Sequence, residues 1–194
     1  MPKKISIVIS GWPAVGKTTV ASSLATEFGM KMYNGGDILK MMAEEKGYSK
    51  TVDRGDWWDT EEAKKFMQER HQDPSFDRKV DDKLLAIASG GGAVMTSYTM
   101  PWLAKPSTPL VTFWLKGSAE NRASRMANRD GIAVQQARSI VKLRDEENTR
   151  IYKELYGYSF GHDLEVFDYM LNTDALKLDS IIEVCKVLVK EHQR

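Results

Sequence analysis

Apolar and polar positions along the chain follow two periods that replace each other in turn. Residues 4–10, Lys-Ile-Ser-Ile-Val-Ile-Ser, form a short β-branched apolar run that suits a strand buried on both faces. A helical period opens soon after it, with Val20, Leu24 and Phe28 on one side and Ala21 and Ala25 beside them. Lys31 to Asn34 reads as a second short strand, ended by Gly35-Gly36-Asp37. Over 37–47, Ile38, Met41, Met42 and Glu45 recur at helical spacing, with Asp37 or Gly36 as cap. Residues 49–58 are polar around Trp57 and Trp58 and read as a loop or short helix entry. Helices are predicted at 60–72, which starts with an acidic turn, and at 75–89, where Phe76, Val80, Leu84 and Ile87 line one side. Gly90-Gly91-Gly92 stops the second of these.

The remaining pattern alternates regularly. Strands are predicted at Ala93 to Ser97 and Leu110 to Leu115, separated by a proline-punctuated loop at 101–109. Helical patterns follow at 118–129 and 133–155, then a strand at Tyr169 to Asn172. The last helix spans about 178–192 and buries Leu178, Ile181, Ile182, Cys185, Leu188 and Val189. Strands alternating with helices imply an α/β fold, a parallel sheet covered on both faces. Ligands of such sheets bind outside the carboxyl ends of the strands. Three predicted helices between the second and third strands make an unusually large insertion there, one able to close over a second substrate.

The segment joining the first strand to the first helix carries chemistry. Gly11-Trp12-Pro13-Ala14-Val15-Gly16-Lys17-Thr18 fits G-x-x-x-x-G-K-[ST], with Thr19 following. By chance the pattern arises on the order of once per hundred chains of this length. The flanking strand and helix are the setting in which it binds phosphate. Gly11 and Gly16 permit a tight turn, backbone N–H groups point at an anion, and the helix N-terminus adds partial positive charge. Lys17 reaches the terminal phosphates and the Thr18 hydroxyl joins a Mg²⁺ shell.

Composition narrows the field. The 194 residues suit one domain, with 42% hydrophobic and 28% charged residues. A net charge of +1 argues against a nucleic-acid surface or an anionic membrane as the main partner. Cys185 is the one cysteine, which excludes an internal disulfide and a cysteine-ligated metal and points to a reducing compartment. With no stretch long enough to span a bilayer and no signal peptide, the expectation is a cytoplasmic monomer. His71, His162 and His192 lack metal-ligand spacing and are expected at the surface.

Arginines supply the second signal. Arg122, Arg125 and Arg129 share a helix face at i, i+3 and i+7, and Arg138, Arg144 and Arg150 follow on the next helix. Individually each is well placed for an ordinary surface ion pair, Arg129 with Asp130 and Arg150 with Glu146, Glu147 or Glu154. As a cluster downstream of a phosphate loop they fit phosphoryl transfer, which needs cations on the moving group.

Taken together, the segments at 11–19, 34–40, 76–81 and 121–131, Arg144-Asp145, 150–157 and 166–173 occur in the order of a known family. The chain resembles the nucleoside monophosphate kinases, most closely the archaeal-type cytidylate kinases. The resemblance implies a five-stranded parallel sheet, with a core at about 1–34, 91–117 and 156–194. It places a monophosphate-binding part at about 35–90 and a short lid at about 118–155. It implies that Gly11, Ala14, Val15, Gly16, Lys17, Thr18 and Thr19 hold ATP with Mg²⁺ at Thr18. Gly36, Asp37 and Lys40 would lie along the monophosphate. Arg125 and Arg129 would come from the lid, and Arg144 and Arg150 would approach the transferred group. The acceptor implied is CMP or dCMP.

Three positions depart from the family pattern. Lys40 stands where an arginine is usual and loses the bidentate fork. The third strand usually runs into an acid–glycine–arginine segment, where this chain has Thr96, Ser97 and Tyr98. Tyr158-Ser159 replaces an aspartate, with Asp163 nearby. Ser97 and Tyr98, with Trp102, are therefore expected to shape the acceptor site. Two alternatives stay open: a kinase for a non-nucleotide hydroxyl with Asp37 as base, and a nucleotide-binding regulatory module without turnover.

Overall fold

The structure, a computed structural model, describes residues 4–49, 57, 60–73 and 75–193. Strand β1 (Ser6–Gly11) is buried along its whole length because it lies at the centre of a five-stranded sheet. The order is β2-β3-β1-β4-β5, with β2 at Lys31–Asn34, β3 at Ala93–Thr96, β4 at Leu110–Lys116 and β5 at Tyr169–Asn172. All pairings are parallel, so every carboxyl end opens on one edge. Ile7 is paired with both Val94 and Val111, which leaves β1 no solvent-facing side.

Alternation along the strands divides the core. Ile7 and Ile9 of β1 and Phe113 and Leu115 of β4 face α1 (Lys17–Glu27) and α8 (Leu178–His192). Cys185 is inaccessible within this layer, and burial pushes its thiol up to about 12. On the opposite face Val8 and Met95 meet α2 (Gly35–Glu45), α3 (Glu61–Gln72) and α4 (Ser75–Ser89). Trp114 of β4 faces the same way into an aromatic block with Tyr152, Tyr158 and Phe160. Helices α6 (Ala119–Asp130) and α7 (Val134–Tyr156) form a hairpin with its own small core of Ala123, Met126, Ala127, Ala137 and Val141.

Local differences from the sequence reading have local causes. Gly35 and Gly36 do not end β2 in a loop: α2 starts at Gly35, and Asn34, not Asp37 or Gly36, is its cap, its Oδ1 accepting from the Gly36 N–H at 3.0 Å. The loop at 101–109 contains one helical turn, α5 (Met100–Leu103), nucleated by Ser97 Oγ accepting from the Thr99 and Met100 amides. His192 is half-buried, with Nε2 2.9 Å from the Tyr169 hydroxyl, where a surface position was expected. Most of 50–59 lies outside the described residues, Trp58 included; Trp57 is buried against Phe66. Among the described residues no helix is long and apolar enough to cross a membrane.

Candidate active site

The glycine-rich loop connects the carboxyl end of β1 to α1. A Cβ on Gly11 would stand 2.2 Å from the Leu115 carbonyl oxygen, so only glycine lets the loop leave the sheet beside β4. Ala14 has φ 61 and Gly16 φ 93, two left-handed residues in one short loop. For Ala14 that conformation costs about 1–2 kcal/mol. Curvature of this kind turns successive N–H groups inward and is the cradle a polyphosphate requires. Val15 is buried in the layer under α1, which anchors the loop from below. Thr18 and Thr19 are exposed in the first turn of α1, their hydroxyls accessible at the helix N-terminus.

Lys17 folds back over its own loop. Its Nζ donates to the carbonyls of Gly11 at 2.9 Å and Trp12 at 2.7 Å and lies 4.8 Å from the centre of the Tyr98 ring. Burial, then the positive field of Arg122, opposed by Asp145 and reinforced by Arg144 and Arg129, lowers its ammonium from 10.5 to about 7. A lysine disfavoured in its charged form by burial and then by neighbouring cations is a site short of negative charge. Phosphates supply it.

The arginines divide by role. Arg122 is 3% exposed and forms a two-pronged pair with Asp145 of α7, at 2.9 and 2.6 Å. It also donates to the carbonyls of Gly117 and Pro13 and lies over the Trp12 ring. It is therefore a brace that ties both hairpin helices to the phosphate loop. Arg144, beside Asp145, and Arg129 act on Lys17 through their charge. Arg129 also pairs with Asp130 at 2.6 Å. Arg125 donates to Thr173 Oγ1 at 2.8 Å and to the Thr173 carbonyl at 2.5 Å, holding the turn after β5. Arg150 is exposed and pairs with Glu154 at 3.2 Å.

On the other side of the sheet edge the side chains are bonded to each other. Gly36 gives its N–H to Asn34, and Asn34 Oδ1 also accepts from Thr96 Oγ1 at 3.0 Å. Lys40 is 5% exposed, with Nζ 3.9 Å from the Asp37 carboxylate. Ser97 is buried and committed to α5 and Thr99. Tyr98, just beyond the third strand, reaches Lys17 of the phosphate loop, its ring also packed edge-on against Phe160 at 5.3 Å. Trp102 stacks on Tyr158 at 4.3 Å and donates from Nε1 to the Asp163 carbonyl. The Asp163 carboxylate accepts the Ser159 amide at 2.6 Å, so it stabilises the turn rather than serving as a spare acid.

The 76–81 segment holds two buried carboxylates to which the sequence assigned no role. Asp77 and Asp81 lie one turn apart on α4, 5% and 6% exposed. Asp77 takes both prongs of Arg70, at 2.7 and 2.5 Å. Asp81 accepts from the hydroxyls of Thr99 and Tyr156. Burial raises its carboxyl to about 6 despite these bonds, with Asp77 adding to the rise. Their place beside Phe76, Val80 and Leu84 on the apolar stripe was the available signal.

Comparison with known proteins identifies the family of the chain. A family model described as the cytidylate kinase-like family matches residues 6–175. The cytidylate kinase of Ignicoccus hospitalis is 31% identical over 180 residues, covering 93% of this chain and 96% of that protein. The cytidylate kinase of Sulfurisphaera tokodaii is 34% identical over 179 residues, covering 92% and 91%. Among solved structures, a shikimate kinase from Bacteroides thetaiotaomicron superposes with a TM-score of 0.57 at 16% identity, covering 96% of this chain and 98% of that one, a likeness of fold. By its sequence the chain belongs to the cytidylate kinase-like family and is an ATP-dependent kinase with a P-loop fold.

Proposed function

We propose that the protein transfers the γ-phosphoryl group of ATP to the phosphate of a pyrimidine nucleoside monophosphate, CMP or dCMP. The observation that carries the reading is Lys17 folded over the glycine loop on the carboxyl edge of the sheet, with Arg122 bonded to the same loop and the charges of Arg144 and Arg129 bearing on it, in a chain whose relatives bear the name cytidylate kinase. In this reading the N–H groups of 11–19 cradle the triphosphate and Lys17 leaves its two carbonyls for the outer phosphates. Such a transfer depends on positioning and charge neutralisation and needs no protein nucleophile. Mg²⁺ bound with ATP supplies further neutralisation, and the exposed Thr18 hydroxyl is the hard oxygen that fits it.

Arg144 and Arg129 are assigned to the transferring group, because both already bear on Lys17. Arg122 is assigned a bracing role. Arg125 and Arg150 reach that group only by exchanging Thr173 and Glu154 for phosphate. On the acceptor side Asp37 and Lys40 flank the first turns of α2 at the end of β2, with Tyr98 as the wall toward the loop. The body at about 35–90 is the monophosphate-binding part and the hairpin at about 118–155 the lid.

An ATP-coupled assay over CMP, dCMP, UMP, AMP and small hydroxylated metabolites tests the reading. Turnover is expected with CMP or dCMP at kcat/KM at least tenfold above the others. Preference for a hydroxylated metabolite would reassign the acceptor, and tight ATP binding with no turnover on any of them would leave a regulatory module.

A further inference from the structure

Helix α7 touches both halves of the molecule, and its contacts fall at two separate levels. At its middle, Asp145 holds Arg122, whose Nη1 donates to the Pro13 carbonyl of the phosphate loop at 3.4 Å. Eleven residues further on, about 16 Å along a helix, Tyr156 donates its hydroxyl to Asp81 of α4. One turn before that, the Tyr152 hydroxyl lies 3.4 Å from Arg70 Nη2, the guanidinium that Asp77 holds. Two carboxylates one turn apart on α4 are thus tied to two tyrosines one turn apart on α7, Asp81 directly and Asp77 through Arg70. The same Asp81 takes the Thr99 hydroxyl from the loop leaving β3. Three elements converge on one buried carboxylate: the acceptor-side helix, the exit of the third strand and the end of the arginine-bearing helix.

We propose that Asp81 and Tyr156 are positioning residues that clasp α7 to the acceptor-side helices and so set where Arg144 stands when the acceptor is held. The inference rests on the kinase reading above, in which Arg144 serves the transferring group. Its logic is mechanical. A 23-residue helix fixed to the phosphate loop at Asp145 and to α4 at Tyr156 cannot shift at one end without moving the other. Closure of α3 and α4 over an acceptor is then transmitted to the arginine, and nucleotide bound at the loop is felt by α4. Neither clasp residue touches a reacting atom, so their loss acts on the rate of transfer and not on ATP affinity. Tyr156→Phe isolates the effect, because it removes one hydroxyl and keeps the ring that lies parallel to Tyr158 at 6.3 Å.

Tyr156→Phe, Asp81→Asn and the double variant test this through three readouts. The expected result for each is a 10- to 100-fold fall in kcat with unchanged ATP dissociation constant, and a double variant no worse than the poorer single. Hydrogen exchange gives a readout that survives failure of the acceptor assignment. ATP is expected to slow exchange in α4 of the native protein, and to protect the phosphate loop and α7 but not α4 in Tyr156→Phe. Equal α4 protection in native and variant protein, or none in either, overturns the clasp, as does a folded Tyr156→Phe with native kcat. If Asp81→Asn fails to fold, Tyr156→Phe decides alone. Absence of turnover in the native protein with transmitted protection intact would strike the kinase reading and leave the clasp standing.

Discussion

The two sides of the sheet edge are built on opposite plans. On the donor side, strained backbone and clustered cations leave binding capacity in hand: Lys17 rests on two main-chain carbonyls and the Tyr98 ring, and burial together with the arginines around it lowers its affinity for a proton. On the acceptor side the polar groups are largely committed to one another. Asn34 serves Gly36 and Thr96, Ser97 serves α5, Asp77 holds Arg70, and Asp81 holds Thr99 and Tyr156. A phosphate arriving at the loop replaces weak partners. In the proposed reading an acceptor arriving at α2 meets a surface that is already knit together, and selectivity is assigned to shape and to Asp37, Lys40 and Tyr98. In the proposed reading, a cationic loop on one side and a mutually bonded surface on the other suit a donor that every turnover shares and an acceptor that must be chosen.

The largest expected effect breaks the donor side. Lys17→Ala removes the ammonium held at the loop, and loss of a preorganised cation from a transferring group costs about 10²–10³ in rate. The fall is expected for every acceptor alike in the coupled assay. A variant that loses CMP turnover while keeping another acceptor would show that Lys17 takes part in selection, and the division between the sides would fail.

A smaller effect follows from the lowered ammonium. Phosphate favours the charged form, so ATP binding above pH 7 must take up a proton at Lys17, and affinity is expected to fall by up to about tenfold per pH unit beyond that point. Calorimetry in buffers of different ionisation enthalpy measures that proton. The nucleotide-free fold is expected to respond in the other direction. Between pH 7 and 10.5 the unfolded chain binds the Lys17 proton and the folded chain does not, so stability contributed by this group rises with pH across that window. Comparing native protein with Lys17→Ala isolates both terms, since the variant should show neither. Proton uptake of zero in the native protein would mean that the cationic field at the loop is already neutralised.

The legible parts of the sequence were those in which a local pattern has one physical solution. The buried run before Gly11 has no polar side to offer water, and the β5 and α8 boundaries follow turn chemistry and period directly. The phosphate motif was legible because glycine and lysine are fixed by geometry, whatever the rest of the chain does. What escaped were pairings set by tertiary proximity. Asp77 and Asp81 read as polar interruptions on an apolar stripe, and nothing in spacing says that Arg70, Thr99 and Tyr156 arrive from three other elements to meet them. Arg122 was indistinguishable from Arg125 by spacing, yet one braces the loop and the other holds Thr173. Ser97 was expected at the acceptor site because it stands where the family usually carries an acid–glycine–arginine segment; its hydroxyl also accepts from the turn of α5, which a proline-containing loop conceals.

The smallest predicted effect bears on the acceptor side. Lys40 is a point cation with its stem buried, and arginine in its place offers two parallel donors to a phosphate in a fixed fork. If Lys40 faces the acceptor's phosphate, Lys40→Arg is expected to lower KM for CMP about two- to fivefold, a gain of roughly 0.5–1 kcal/mol for the better hydrogen bonds, with KM for ATP unchanged. The change is small because the larger head must fit where the native side chain is only 5% exposed, and overpacking a closed site costs about 1–3 kcal/mol. The two terms oppose each other, so the sign of the result is informative. A lowered KM confined to the monophosphate places Lys40 on the acceptor. A raised KM for both substrates with a reduced melting temperature assigns Lys40 to the packing of α2 and hands selection of the acceptor to Asp37 and Tyr98.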